Sequence, residues 1–378
     1  MPASPTNSST PAARPWLDRL RTRGTGPSRG AGTRQQRKHD LLASIYKPRW
    51  IAGALFGGVV AVWIVGNLVA SPSAFTFLLF VGITNGAIYA LIALGFTLSY
   101  SSIGLINLPH GYVFMTGAVL SAYFLGIAGL DESRSFAENL PAILIVLVVV
   151  MSACGLLSAV IELVAYRPLS NAPRLSRLVT SIGVLFILNN IIIVWTGSKP
   201  VALPDVLPRG EVFSVMGVAY TWDKLIVLLS MALVLASLYF VLRRTRFGGS
   251  IRAAIQDSVG AQLVGVNVAR TVTLAFFLAG ALAGAGGQLY ALYFTNVSWD
   301  QALRLTLIAF TAVVLGGIES LVGAVIGAMI IGITESFVNG FTWYSPGSDW
   351  TESVVLSVLI ILLVLRPQGL LGEDPRHA

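Results

Sequence analysis

The stretch AFTFLLFVGITNGAIYALIALGFTL, residues 74–98, holds no charged side chain and no strict alternation of apolar with polar residues. About 20 such residues coiled as an α-helix cross the hydrocarbon core of a bilayer, so this run predicts a transmembrane helix. Its polar groups, among them Asn85, Tyr89 and Thr97, are all uncharged. Comparable runs recur on both sides, at 51–70, 111–130, 140–163, 178–196, 224–242, 271–293, 304–318, 321–339 and 352–365. Of 378 residues, 55% are hydrophobic and only 11% charged, a composition unlike that of a water-solvated domain. The expectation is an all-α, polytopic transmembrane helix bundle of about ten spans; because two runs are short, eight spans with re-entrant pieces is the alternative.

Residues 1–49 differ in kind. They carry Arg14, Arg19, Arg21, Arg23, Arg29, Arg34, Arg37, Lys38, Lys47 and Arg49 against Asp18 and Asp40, which accounts for the whole net charge of +8. Rich in Pro, Ser, Thr and Gly and without apolar periodicity, this segment is expected to be a disordered basic cytoplasmic tail. The excess charge therefore describes a tail rather than a nucleic-acid-binding domain. The apolar run from Ile51 is long enough to span, which favours a first transmembrane helix over a signal peptide. A permease domain is expected over 50–373, with a short tail at 374–378.

Loop charge orients the spans. Arg167, Arg174 and Arg177 follow the fourth run, Arg243, Arg244, Arg246 and Arg252 the sixth, and Arg366 the last, while Asp131, Glu132, Glu138, Asp205, Glu211, Asp300 and Asp349 lie in the alternate loops. The positive-inside pattern predicts both termini on the cytoplasmic face of the plasma membrane. An internal echo, Gly86-Ala-Ile-Tyr89-Ala-Leu91 against Gly287-Gln-Leu-Tyr290-Ala-Leu292, is offset by five spans. An odd offset means two copies running in opposite directions, the arrangement of inverted-repeat transporters; chance similarity among abundant Gly, Ala and Leu is the competing explanation.

Several chemistries are excluded. The four lysines, Lys38, Lys47, Lys199 and Lys224, lie in no GxxxxGK[ST] loop, so this chain does not cradle nucleotide in that way. His110 is the only histidine away from the termini, which leaves no nucleophile–His–acid set and no zinc cluster, and the single Cys154 forms no intrachain disulfide. No enzyme, metal site or cofactor is expected. Within the spans Glu162 and Glu335 are the main charged candidates, too few for a proton relay. The uncharged set Asn85, Tyr89, Asn107, His110, Gln288 and Tyr290 supplies the translocation-path candidates, each of which also serves as ordinary interhelical hydrogen-bonding polarity.

The segment FGGSIRAAIQDSVGAQLVGVNVART, residues 247–271, has helix punctuation within a cytoplasmic loop. Asp257 can cap a short helix starting near Ser258, and Gly265 can supply a left-handed C-terminal turn. A helix of that length cannot span. It either packs on its own protein as an interfacial helix or acts as a lever docking on a separate motor subunit.

Six blocks then appear in order: GAIYALIALGFTLSYSSIGLINLPHG (86–111), AYRPLSNAPRLSRLVTSIGV (165–184), SIRAAIQDSVGAQLVGVNVAR (250–270), AGALAGAGGQLYALYF (279–294), AVVLGGIES (312–320) and LRPQGLLG (365–372). Over about 75–373 the chain resembles the LivH-type permeases of branched-chain amino acid ABC transporters. The resemblance implies a permease subunit of an importer for branched-chain or other hydrophobic amino acids. Its implied partners are two cytoplasmic ATPase subunits, a second, LivM-like permease and an extracytoplasmic solute-binding protein. It further implies that Arg252, Gln256, Asp257 and Gly265 lie on the ATPase-coupling loop at about 243–270. Departures occur at Leu163, at Leu108-Pro109 before His110, and at Glu319 and Leu321-Val322. They leave urea, short amides or sugars as alternative cargo for such a permease, and a self-sufficient secondary transporter or channel as the alternative class.

Overall fold

The computed structural model describes residues 48–130, 132–341, 347–366 and 368–371, with backbone only for 48–56, 174 and 365. The two tails expected from the sequence lie outside the described residues, apart from Pro48 and Arg49. The chain divides into two units, Met1–Phe56 and Gly57–Ala378; of the first, only the helical backbone from Pro48 is described.

Each of the ten apolar runs coincides with a helix. They are α1 (Pro48–Ala70), α2 (Pro72–Ile103), α3 (His110–Ile127), α4 (Phe136–Ile161), α5 (Arg174–Thr196), α6 (Trp222–Arg244), α9 (Val268–Phe294), α10 (Gln301–Gly316), α11 (Leu321–Gly340) and α12 (Thr351–Leu365). Between α6 and α9 lie two short helices, α7 (Arg246–Gln256) and α8 (Ser258–Leu263). Among the described residues seven helices, α2 to α6, α9 and α11, are long and apolar enough to cross a membrane, and Gly57–Ala70 and Gln301–Gly316 are shorter apolar helices. The chain is thus a polytopic helical membrane protein.

Helix ends follow the local chemistry. Pro72 opens α2, where its missing N–H is no loss. Gly104 closes α2 at φ +62°, its N–H donating to the Tyr100 carbonyl at 2.7 Å. Between α4 and α5 the chain passes through a π-helical turn, Glu162–Tyr166, and a 3₁₀ turn, Arg167–Leu169. Two-thirds of the apolar window of α2 is buried, against 22% for α5 and α6, so α2 belongs to the core and α5 and α6 to the periphery. Residues Gly86 to Ser99 are buried without a break. A helix apolar all round and buried all round must be surrounded by other helices, and α2 packs on α6, α9, α10 and α11.

The alternation of loops is built into bonds between them. Strand β1 (Val201–Ala202), in the α5–α6 connection, pairs with β4 (Asn296–Val297), in the α9–α10 connection. Glu132, after α3, accepts from the Asp205 amide at 3.0 Å. The α5–α6 connection also carries a hairpin, β2 (Glu211–Val215) and β3 (Val218–Thr221). Conversely, Arg167, after α4, donates to the Ala269 carbonyl at the start of α9, and the amides of Leu370 and Leu371, after α12, donate to Leu315 and Gly316 at the end of α10. Connections that an alternating topology assigns to one face are joined to each other.

The repeat is visible in packing. A Cβ on Gly82 would meet Ile333 Cα at 2.7 Å and Ser336 Cβ at 3.2 Å, and one on Gly86 would meet Met329 Cα at 2.8 Å. On α9, a Cβ on Gly280 would meet Ser158 Cβ at 2.5 Å, and one on Gly284 would meet Met151 Cα at 3.1 Å. With constant offsets, Gly82 corresponds to Gly280, Gly86 to Gly284, Ser336 to Ser158 and Met329 to Met151. The α2/α11 and α9/α4 pairs are thus the same small-residue crossing made twice. Gly95 faces Ala279 while Leu91 faces Gly286, so α2 and α9 run antiparallel, as an inverted repeat requires. The register differs from that of the sequence echo. Gly287 abuts α3 at the Ala118 amide, and Gly284, one turn earlier, is the counterpart of Gly86. Identities drawn from Gly, Ala and Leu slide easily by one turn; backbone contact does not.

Candidate functional site

Two regions concentrate polar chemistry: the short helices between α6 and α9, and a charged cluster where α2, α9, α10, α11 and α12 meet.

In the first, Thr245 caps α7, its hydroxyl accepting from the Gly248 amide at 3.1 Å. The apolar side of α7 is held by Gly248 and Ile251, both buried, and Arg252 donates to the Leu242 carbonyl at the end of α6. Asp257 Oδ1 accepts from the amides of Val259 and Gly260 at 3.0 and 2.9 Å, the cap expected from the sequence. Gly265 has φ +86°; its amide donates to Gln262 and that of Val266 to Ala261, at 3.0 and 2.9 Å, which completes a Schellman closure. Asn267 then caps α9 through the Arg270 amide at 3.0 Å. A helix of two turns is thus fixed at both ends, yet Val259, Leu263 and Val264 are 68%, 84% and 80% exposed. Gln256 and Asp257 are exposed beside them.

In the second, Arg304 on α10 forms an ion pair with Glu335 on α11 and reaches Glu352 on α12 at 3.8 Å. Glu335 is only 5% exposed, whereas Arg304 is 38% exposed. Tyr89 of α2 stands beside Glu335, and Tyr290 of α9 donates to Gln301 at the head of α10 at 2.6 Å. The cluster joins five helices. Arg304 opens one of the short apolar runs, and its partner lies on another helix, so its role was not legible from local pattern. Glu335 is accordingly not a lone buried acid but half of a pair.

The sequence candidates separate. Tyr89 and Tyr290 come together around this pair, and Asn85, one turn before Tyr89, has its Oδ1 buried without a hydrogen-bond partner among the described residues. Gln288 turns away to donate to the Ile143 carbonyl of α4 at 2.7 Å. Asn107 accepts from Tyr166 at 2.9 Å, and Tyr166 also bonds Ser181 at 3.2 Å, so Asn107 knots the α2–α3 loop to the π-turn and α5. His110 is fully buried at the start of α3, edge-on to Phe96. Its Nε2 would lie 2.5 Å from a Cβ on Gly95, so the absence of a side chain at Gly95 makes room for the imidazole. Glu162 pairs with Arg167 at 3.2 Å and accepts from Thr273 at 2.8 Å, tying the end of α4 to α9.

The family model of the branched-chain amino acid transport system permease component matches residues 78–364, which takes in both regions and runs from within α2 to the last turn of α12. The chain belongs to this permease family. The permease is 34% identical over 298 residues to the high-affinity branched-chain amino acid transport system permease protein BraD of Pseudomonas aeruginosa, covering 77% of this chain and 94% of that protein. It is 33% identical over 304 residues to the corresponding LivH of Escherichia coli K12, covering 78% and 94%. It is 27% identical over 296 residues to a probable branched-chain amino acid transport permease protein LivH of Methanocaldococcus jannaschii, covering 75% and 88%.

Proposed function

We propose that the permease is the membrane subunit of an ABC importer for branched-chain amino acids, driven by ATPase subunits that dock on α7 and α8. The carrying observation is the exposed ridge Val259, Leu263 and Val264 on a helix locked at both ends. Burying each such side chain against a partner is worth roughly 1.5–3 kcal/mol, and a rigid projection transmits motion where a slack loop would not. Without a nucleotide loop of its own, the chain needs a motor, and α8 is built as a contact for one. The orientation follows the positive-inside rule, with α7, α8 and both termini cytoplasmic. The connection bearing β2 and β3 then faces outward, toward a solute-binding protein, and a second, LivM-like permease completes the pore. Within the bundle, Asn85, Tyr89 and Tyr290 line the path. The cargo is read from the names of the relatives.

Reconstitution of the permease with the ATPases, permease partner and binding protein encoded beside it tests this reading. ATP-dependent uptake of labelled leucine, with urea and ribose excluded, is the expected result. Uptake without ATPases would make the chain a self-sufficient transporter, and preference for urea or ribose would reassign the cargo.

A further inference from the structure

We infer that Arg304 and Glu335 form a head-group site for a zwitterionic solute, exchanging their mutual ion pair for contacts to a carboxylate and an ammonium. This rests on the proposed function and deepens it by naming the residues that select an amino acid over a neutral solute.

The observations are four. The Glu335 carboxylate is held inside the bundle at 5% exposure, a placement that is costly unless it is paired. Arg304 engages its Oε1, its Oε2 is buried, and Tyr89 stands against the same carboxylate, so an arriving donor would share Glu335 with the tyrosine. Arg304 is partly exposed and already divided between Glu335 and Glu352, so its guanidinium can release one carboxylate for another. Tyr89 and Tyr290 stand around the pair, and Tyr290 donates to Gln301, one turn before Arg304.

The chemistry of exchange follows. In the empty site the buried charge of Glu335 is compensated by Arg304, while the second carboxylate, Glu352, lies exposed to solvent. An arriving α-amino acid presents a carboxylate, which suits the planar guanidinium fork, and an adjacent ammonium, which suits Glu335. Because the zwitterion is itself net neutral, exchanging the one internal pair for two pairs with the solute leaves the net charge of the site unchanged, so the swap avoids the penalty of a single ion entering a low-dielectric interior. Urea and sugars carry neither charge and cannot separate the pair. Arg304 lies one turn into α10, just beyond the connection that holds β4, so the site meets solute arriving from the face bearing the β1–β4 pairing.

The test uses the assembled transporter with its ATPases and binding protein, following labelled leucine uptake and binding-protein-stimulated ATP hydrolysis together. The double variant Arg304→Gln with Glu335→Gln keeps size and hydrogen bonding but removes both charges. Assembly and hydrolysis are expected to persist while leucine uptake falls at least about tenfold. Uptake within about twofold of the parent overturns the site. Should the double variant fail to assemble, Arg304→Lys decides: it keeps the charge and the pair but loses the fork, and leucine uptake should fall several-fold with hydrolysis intact. Parental uptake in that variant, or hydrolysis lost in proportion to uptake, makes the pair a mechanical tie and sinks the proposal. Failure of the parent itself to import leucine removes the proposed function, and the head-group site with it.

Discussion

Arg252 donates to the carbonyl of Leu242, so the middle of α7 is tied to the last turn of α6. Carbonyls at a helix C-terminus lack intrahelical partners and carry the negative end of the helix dipole. A guanidinium there satisfies one of them and fixes the angle at which α7 leaves the bundle. Arg252 therefore positions α7 and is engaged within its own chain. A hydrogen bond to a charged group is worth about 1.5–3 kcal/mol. Arg252→Ala is expected to insert normally and to lower transport-stimulated ATP hydrolysis several-fold, with Arg252→Lys intermediate. Unchanged hydrolysis in both would show that α7 needs no such anchor.

The two ends of α8 make separable predictions. Asp257→Ala removes the acceptor of two amides, at a cost of about 0.5–2 kcal/mol of local helix stability. A Cβ on Gly265 would meet nothing within 4 Å, so only its φ of +86° forbids a side chain. Gly265→Val should then weaken ATPase co-purification, while Gly265→Asn, whose side chain tolerates the left-handed region, should retain it. Equal behaviour of Val and Asn would remove the conformational explanation.

Much of this was legible along the chain. Ten apolar runs became ten helices, and Asp257 and Gly265 took the cap and closure positions their residue types suggest, because both features are local. Three others depend on residues far apart in sequence. Arg304 finds Glu335 on another helix, Asn107 finds Tyr166 beyond two helices, and the repeat register is set where Gly86 and Gly284 touch opposing backbones. Asn107 and His110 therefore lie apart from Tyr89 and Tyr290, although the sequence offered them as one set. The π-turn at Glu162–Tyr166 has no distinctive residue pattern, and its ion pair with Arg167 and contact with Thr273 are likewise tertiary.

Orientation can be read chemically. Cys154 is the chain's only cysteine and is buried, so single introduced cysteines report against a silent background. Ser170 and Asp257 are exposed on connections assigned to the cytoplasm, and Lys199 and Pro204 lie on one assigned outside. An impermeant thiol reagent applied to intact cells should label Lys199→Cys strongly and partly exposed Pro204→Cys less so, and should spare Ser170→Cys and Asp257→Cys. Labelling at 257 would invert the topology.

His110 is fully buried, enclosed by Gly95, Phe96 and the backbone of Ile92. Packing against these groups accounts for its burial. His110→Gln should keep uptake within about twofold of the parent across roughly pH 6–8, whereas Gly95→Leu, which fills the space of the imidazole, should reduce folded yield. A change confined to the pH profile of His110→Gln would reassign the residue to gating.

The duplicated crossing predicts duplicated sensitivity. At Gly86 an added Cβ meets Met329 Cα at 2.8 Å, and at Gly284 it meets the Val150 carbonyl oxygen at 2.9 Å. In both cases the obstacle is backbone, which cannot rotate aside as a side chain can, so the helices must separate. Overpacking of this kind costs about 1–3 kcal/mol, and separation also forfeits the close contact on which helix association in lipid depends. Gly86→Val and Gly284→Val should therefore lower the thermal unfolding midpoint of the purified protein by similar amounts. Gly183→Val, on peripheral α5 with nothing within 4 Å of its Cβ, should leave the midpoint near that of the parent. The two core substitutions act on different helix pairs, α2 with α11 and α9 with α4, so their effects should add. A midpoint sensitive at Gly86 but indifferent at Gly284 would mean that the two crossings share geometry without sharing the work of holding the bundle together.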